Sequence, residues 1–90
     1  MSLFDQLFRI QVKEKDLKIL FCRMVTPMAL KLIRRFDGDI IGDKAIICNC
    51  SREEPSKDKN GRIVDGAFRI FFPNNQAICY TLSGEISFVL

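Results

Sequence analysis

The sequence contains no histidine, and this absence limits the chemistry that the chain can perform. Histidine is the commonest general base, and it completes Ser-His and Cys-His nucleophile pairs and many zinc sites. The remaining residue types do not form an acid–base pair or an activated nucleophile at any recognisable spacing. We therefore expect a protein that is not an enzyme, with no cofactor and no bound metal.

Long apolar runs are also lacking. No run is longer than Ile19–Cys22, which is stopped by Arg23 and is far shorter than the ~18 residues of a membrane span. The first five residues, Met-Ser-Leu-Phe-Asp, lack the basic and apolar regions of a signal peptide. These features predict a cytoplasmic or nuclear protein without a membrane partner.

The composition is that of one ordinary globular domain. The chain has 90 residues, of which 48% are hydrophobic and 28% charged, so a single domain over 1–90 is expected. The net charge of +3 is unevenly distributed. Residues 1–36 hold eight Lys/Arg against three Asp/Glu, and residues 37–90 hold six against eight. A basic first half favours an anionic partner, although a solvated helix surface has the same composition.

Helix signals are concentrated in residues 1–36. Ser2 is a suitable cap for a first helix ending near Val12. Asp16–Val25 fits both a helix and a strand; the helix is favoured because a strand here would carry apolar residues on both faces. The clearest start signal is Thr26-Pro27, an N-cap followed by proline at the first helical position, and this helix should end at Asp37-Gly38.

Residues 37–66 predict a hairpin and a long loop. Asp39 to Lys44 can turn on Gly42-Asp43, and a strand follows over Lys44–Cys50. Residues 51–66 form a hydrophilic connection, with six charges between Arg52 and Lys59. A short strand at Arg62–Val64 is the only regular element expected within it.

The C-terminal third, Ala67–Leu90, has the pattern of an antiparallel meander. Three-residue loops at 73–75 and 82–84 would place Asn75 and Gly84 in left-handed conformations. A two-residue loop at Ser83-Gly84 would put the apolar sets of its two strands on opposite faces, so the longer loop is favoured. The apolar side chains then share one face: Phe68, Ile70, Phe72, Ile78, Tyr80, Ile86, Phe88 and Leu90.

Together these signals predict an α+β fold. Two or three N-terminal helices would pack on one face of a mostly antiparallel sheet of four to five strands. Residues 1–36 would be helical and basic, and residues 37–90 would be β-rich with a charged loop at 51–66.

The second face of this predicted sheet is the leading candidate for function. It is semi-apolar and no helix remains to cover it, while the strand that ends at Leu90 leaves an edge unpaired unless Lys44–Cys50 or another molecule pairs with it. Both features favour a protein partner, with a homodimer as one form of that contact, although a solvated sheet face has the same pattern. The candidate partner-binding residues are Arg69, Phe71, Cys79, Ser87 and Val89.

The alternative function is nucleic-acid binding by the basic helical half. Two helices joined at Thr26-Pro27 would resemble a helix-turn-helix, but a helix exposing little beyond Lys and Arg predicts phosphate contacts with little sequence preference. The candidate residues are Lys18, Arg23, Lys31, Arg34 and Arg35.

The four cysteines carry a weaker signal. Cys48 and Cys50 form one Cys-x-Cys, while Cys22 and Cys79 are single, so the two pairs typical of an all-cysteine zinc site are missing. Buried thiols acting as small hydrophobic side chains are the favoured interpretation. Cys79 lies beside Arg69 in the predicted sheet. It is the one cysteine for which this sheet offers a neighbouring cation that could make the thiol reactive.

Overall fold

Eight strands and one helix make up residues 17–89, the part of the chain that this computed structural model describes. Strands take about 52% of these residues and the helix about 12%. In chain order the elements are β1 (Lys18–Phe21), β2 (Met24–Val25), α1 (Pro27–Arg35), β3 (Asp39–Ile41), β4 (Lys44–Ile47), β5 (Arg52–Lys57), β6 (Ile63–Phe71), β7 (Ala77–Thr81) and β8 (Glu85–Val89).

The predicted α+β class is therefore wrong, because the described chain is mostly β with one short helix. The favoured helix at Asp16–Val25 is also wrong over residues 18–25, which contain β1, β2 and a two-residue connection. Strand β1 does carry apolar residues on both of its faces. Leu20 packs against the core, whereas Ile19 and Phe21 on the other face remain 47% and 44% exposed. Asp16 and the predicted helix from Ser2 to Val12 lie outside the described residues.

The strands form two sheets. A five-stranded sheet has the order β2-β8-β7-β6-β5, and a three-stranded sheet has the order β1-β4-β3. The meander register is confirmed by its cross-strand pairs: Phe68–Tyr80, Ile70–Ile78, Tyr80–Ile86 and Ile78–Phe88. Asn75 and Gly84 adopt φ values of 68° and 94°, as the three-residue loops require.

The charged segment 51–66 is a hairpin, and its prediction as a loop is wrong. Residues Arg52–Lys57 form β5, which pairs antiparallel with β6. The Asp58 carboxylate closes the turn by accepting bonds from the backbone N–H of Asn60, at 2.8 Å, and of Arg62, at 3.0 Å. β5 is an edge strand, and charges with a proline are common there because they discourage pairing with other chains. The short strand expected near Ile63 is the beginning of β6.

The last strand does not leave the free edge that the sequence predicts. β2 pairs in parallel with the first half of β8, joining Met24 to Glu85 and Val25 to Ile86. The Thr26 N–H extends this contact by donating to the Ile86 carbonyl at 3.0 Å. The edge strands of the five-stranded sheet are therefore β2 and β5.

The hairpin of β3 and β4 turns at Gly42-Asp43 as predicted, with Gly42 at φ 59°. β4 ends at Ile47, three residues before the predicted end at Cys50. The physical reason is Asn49, which adopts φ 55° and donates from its side chain to the Phe36 carbonyl at 2.9 Å.

Helix α1 begins and ends where the sequence predicts. The Thr26 hydroxyl accepts a bond from the Ala29 N–H at 3.2 Å, and Pro27 occupies the first turn. Beyond Arg35 the chain leaves the helix through Asp37, which adopts φ 68°, and Gly38 donates back to the Ile33 carbonyl at 2.9 Å. Gly38 is required because a Cβ atom there would overlap the Ile46 carbonyl oxygen.

The core lies between the five-stranded sheet on one side and α1 with the three-stranded sheet on the other. The face of the five-stranded sheet that contacts this core is the predicted apolar face, now called the core face. The main cluster of buried side chains is Cys22, Ala29, Leu32, Ile33, Ala45, Ile47, Cys50, Ile70, Phe72, Ile78 and Ile86. Phe36 stacks on Phe72 with ring centroids 4.8 Å apart. The opposite side of the sheet is called the outer face.

Candidate functional site

The five predicted partner-binding residues lie together on the outer face. Strand pairing places them in two rows across β6, β7 and β8: Arg69–Cys79–Ser87 and Phe71–Ala77–Val89. Ser87 is exposed, and the other four candidates are partly buried. The spacing of two residues along each strand brings the candidates to one surface because successive strand side chains point to opposite faces.

Strand β5 adds two charged residues to the outer face that sequence reasoning missed. Arg52 pairs with Phe71 and Glu54 pairs with Arg69. The Arg52 guanidinium lies 3.8 Å from the centroid of the Phe71 ring, and its Nε donates to Glu54 Oε1 at 2.9 Å. No apolar alternation marks β5 in the sequence, so only its pairing with β6 reveals that these side chains belong to the site.

Arg69 is the residue of the outer face with an unmet bonding requirement. Its Nε is buried, and it has no hydrogen-bond partner among the described residues. Its Nη2 makes one long bond, 3.4 Å, to the Lys57 carbonyl. The neighbouring carboxylate, Glu54, already accepts from Arg52. A buried donor without a partner costs about 1–3 kcal/mol, so an added acceptor at this guanidinium would be favourable.

The five predicted nucleic-acid-binding residues do not gather in one place. Lys18 forms an ion pair with Glu53 between the two sheets, so the charge of Lys18 is already paired. Arg23 is exposed at the junction of β1 and β2. Lys31, Arg34 and Arg35 are exposed on α1, and Arg34 Nε lies 3.4 Å from Asp39 Oδ1.

Glu53 is the centre of a polar cluster that joins the two sheets. Besides the ion pair with Lys18, it accepts a bond from the Tyr80 hydroxyl at 2.7 Å. Burial raises the pKa of Tyr80 strongly, and the hydrogen bond and negative charge of Glu53 raise it further. A phenol held protonated in this way is suited to positioning the sheets and is a poor general base.

The cysteines are mainly part of the interior. Cys22, Cys48 and Cys50 are buried and Cys79 is partly buried. Burial raises the pKa of the Cys48 thiol to about 11, with a second contribution from the charge of Asp37. Burial also raises the pKa of Cys22, which a backbone hydrogen bond with Met24 partly offsets. Over residues 17–89 no group of three or more Cys, Asp or Glu side chains is arranged to hold a metal ion.

Cys79 has a different setting from the other cysteines. It faces Arg69 across the β6–β7 ladder, as the sequence predicts, and its Sγ lies 3.8 Å from the Ser56 hydroxyl oxygen. Thus the outer face combines a cation, a thiol, a hydroxyl, apolar side chains and a carboxylate, Glu54, that is bound to Arg52.

Two further findings concern membrane-spanning helices and similarity to known proteins. Within the described part of the chain, no helix is long and apolar enough to cross a membrane. Comparisons with protein families, with curated proteins and with solved structures find no match to this chain.

Proposed function

We propose that this protein is a non-catalytic binding module that contacts a partner protein through the outer face of its five-stranded sheet. The observation that carries the proposal is Arg69, whose buried Nε has no hydrogen-bond partner among the described residues. Arg69 shares its row with Cys79 and Ser87, and the neighbouring row holds the apolar side chains of Phe71 and Val89. Interfaces commonly combine an arginine with an aromatic side chain in this way.

The partner is a different protein that presents a carboxylate beside an apolar side chain. A carboxylate can accept two bonds from one edge of a guanidinium, and a small rotation of Arg69 would expose its Nε for such a pair. The apolar side chain would cover Phe71 and Val89. A second copy of the chain fits less well, because Glu54 on the same face is already bound to Arg52.

The protonation states of the ionisable side chains support a role without catalysis. The raised pKa of Cys48 and the raised pKa of Tyr80 keep both groups protonated at neutral pH. No histidine is available as a base for Cys79. The nucleic-acid alternative has less support, since Lys18 is bound to Glu53 and Arg34 lies within ion-pair distance of Asp39.

The test identifies the partner and then measures its affinity. A photo-crosslinking benzoylphenylalanine at Ser87 is used in the host cell, with the same group at exposed Ile63 as the control. The captured protein is purified and its binding measured by calorimetry. We expect Arg69→Glu and Phe71→Glu to weaken binding by about tenfold or more, as for central interface residues.

Matched controls are available at Arg62, just before β6, and at Ile63, the first residue of β6. Arg62→Glu repeats the charge reversal and Ile63→Glu replaces another apolar side chain with glutamate, both at exposed positions away from the proposed contact, and each should change the affinity by less than about twofold. Equal capture at Ser87 and Ile63, or wild-type affinity of the outer-face variants, would contradict the proposal. A dimer in sedimentation velocity that Arg69→Glu dissociates would show that the occupant is a second copy.

A further inference from the structure

A groove beside helix α1 forms a second candidate recognition site, on the core side of the sheet and away from the outer face. Its volume is about 320 Å³, and it is called the helix groove. It is lined by Met28, Lys31, Leu32, Arg35, Gln76 and Phe88. A further groove of about 350 Å³ lies along the helix and shares Met28 and Lys31 with it.

The helix groove has an apolar floor and a cationic rim. Met28 is 56% exposed, and Leu32 and Phe88 line the groove beside it. Lys31 and Arg35 are four residues apart, so they project from the same side of α1. Within residues 17–89, the side chains that line the groove include no acidic one.

The two cations differ in how they are held. Arg35 Nη1 donates to Gln76 Oε1 at 3.3 Å, and Gln76 is in turn bound by the side-chain amide of Asn74. This contact positions the Arg35 guanidinium beside the loop between β6 and β7. Lys31 makes no hydrogen bond or ion pair with the described residues, so its charge is available to a ligand.

We propose that the helix groove binds a short acidic peptide segment in which a carboxylate lies next to an apolar side chain. The apolar side chain would cover Met28, Leu32 and Phe88, and the carboxylate would contact Lys31 and Arg35. The charge complementarity supports an anionic occupant, and the apolar floor supports one that is only partly charged. Methionine suits such a site because its flexible side chain adapts to different apolar groups.

Nucleic acid is the competing occupant, and it fits the helix groove less well. Proteins that bind single strands usually stack bases on accessible aromatic rings beside their cations. Here Phe36 stacks on Phe72, Phe68 stacks on Tyr80, and the exposed Phe21 lies elsewhere, 5.9 Å below Lys44. Of the described residues that line the helix groove only Phe88 is aromatic, and it is partly buried against the core, so the floor favours a peptide.

The test uses fluorescence anisotropy with four labelled probes and the intact chain. The first probe is a twelve-residue peptide that alternates Glu with Leu; the others are a Glu-Ser peptide, a Lys-Leu peptide and single-stranded oligothymidine of about the same length. We expect the Glu-Leu peptide to bind about tenfold more tightly than any other probe. We also expect its affinity to fall as salt is added, because the contact with the rim is ionic.

Variants separate the helix groove from general charge effects. Lys31→Glu with Arg35→Glu should weaken binding of the Glu-Leu peptide by about tenfold or more, and Met28→Ser by about fivefold. The matched control, Lys57→Glu with Lys59→Glu, makes the same change in net charge at exposed positions of the β5–β6 hairpin and should leave the affinity within about twofold. Circular dichroism checks that each variant is folded.

Three results would overturn the proposal. Equal binding of the Glu-Ser peptide would mean that the apolar floor takes no part, and tighter binding of oligothymidine would assign the rim to nucleic acid. An equal loss in the control variant would show that net charge alone controls the affinity. Because the outer face is on the other side of the sheet, Arg69→Glu should leave this binding unchanged, so the two proposals can fail separately.

Discussion

Gly84 lies where the β7–β8 turn meets the junction between the two sheets, and its replacement by alanine should be strongly destabilising. It adopts φ 94°, a conformation that residues with a Cβ rarely adopt. A Cβ built there would lie 2.8 Å from Phe21 Cε1 and 2.9 Å from the Arg23 backbone nitrogen. The Gly84 carbonyl also accepts bonds from the Arg23 N–H, at 2.7 Å, and the Met24 N–H, at 3.0 Å.

The expected loss in the free energy of unfolding of Gly84→Ala has two separable parts. Forcing a non-glycine residue into this backbone conformation costs about 1–3 kcal/mol. Crowding the methyl group against a ring and a backbone nitrogen adds about 1–3 kcal/mol, because the backbone cannot shift without disturbing the pairing of β2 with β8. The free energy of unfolding should therefore fall by about 2–6 kcal/mol, a large share of the roughly 5–15 kcal/mol typical of a domain.

Urea unfolding followed by circular dichroism measures this change in the free energy of unfolding. Two other glycines separate the cost of the backbone conformation from the cost of crowding. Gly61 and Gly42 also have positive φ, 79° and 59°, but a Cβ atom at either would meet nothing within 4 Å. Gly61→Ala and Gly42→Ala should therefore show the conformational cost alone. If Gly84→Ala lowers the free energy of unfolding by no more than Gly61→Ala does, the inferred contact with Phe21 and Arg23 is wrong.

Three further predictions concern single residues. Tyr80 is the only tyrosine, so tyrosinate absorbance reports it directly. Because folding raises its pKa above the usual value of about 10, the stability it contributes is present below pH ~10 and is lost as the pH rises further. Glu53→Gln should lower its pKa, and an unchanged titration would refute the assigned cause. Thr26→Ala should lower the free energy of unfolding by about 1 kcal/mol by removing the cap of α1, while Thr26→Ser should change it little; an equal loss in both would exclude the cap as the cause. Iodoacetamide labelling at neutral pH should modify Cys79 before Cys48, whose thiol is buried with a pKa of about 11; faster modification of Cys48 would contradict its burial.

The features that could be predicted from sequence depend on neighbouring residues. Thr26-Pro27 marks the start of α1 because capping is a contact over three residues. The meander register follows from loop lengths and the two-residue period, so Ile70 and Ile78 could be paired before the structure was known. The same register placed Arg69, Phe71 and Cys79 on one face, and this part of the candidate site was also predictable.

The features that could not be predicted depend on partners distant in the sequence. The spacing of apolar residues in Lys18–Phe21 fits both a helix and a strand, and the pairing with β4 makes it a strand although the helix was favoured. β5 has a hydrophilic sequence and becomes a strand because β6 provides its hydrogen-bond partners. Arg52 and Glu54 were missed at the candidate site for this reason.

Local chemistry along the chain thus specified the helix start, the turns and the alternation of apolar side chains in the last three strands. The number of strands, the parallel pairing of β2 with β8 and the position of α1 over the core face depended on contacts between distant segments. The reason is that a backbone hydrogen bond in a helix or tight turn closes over a few residues, whereas a strand is completed only by a partner that another part of the chain provides.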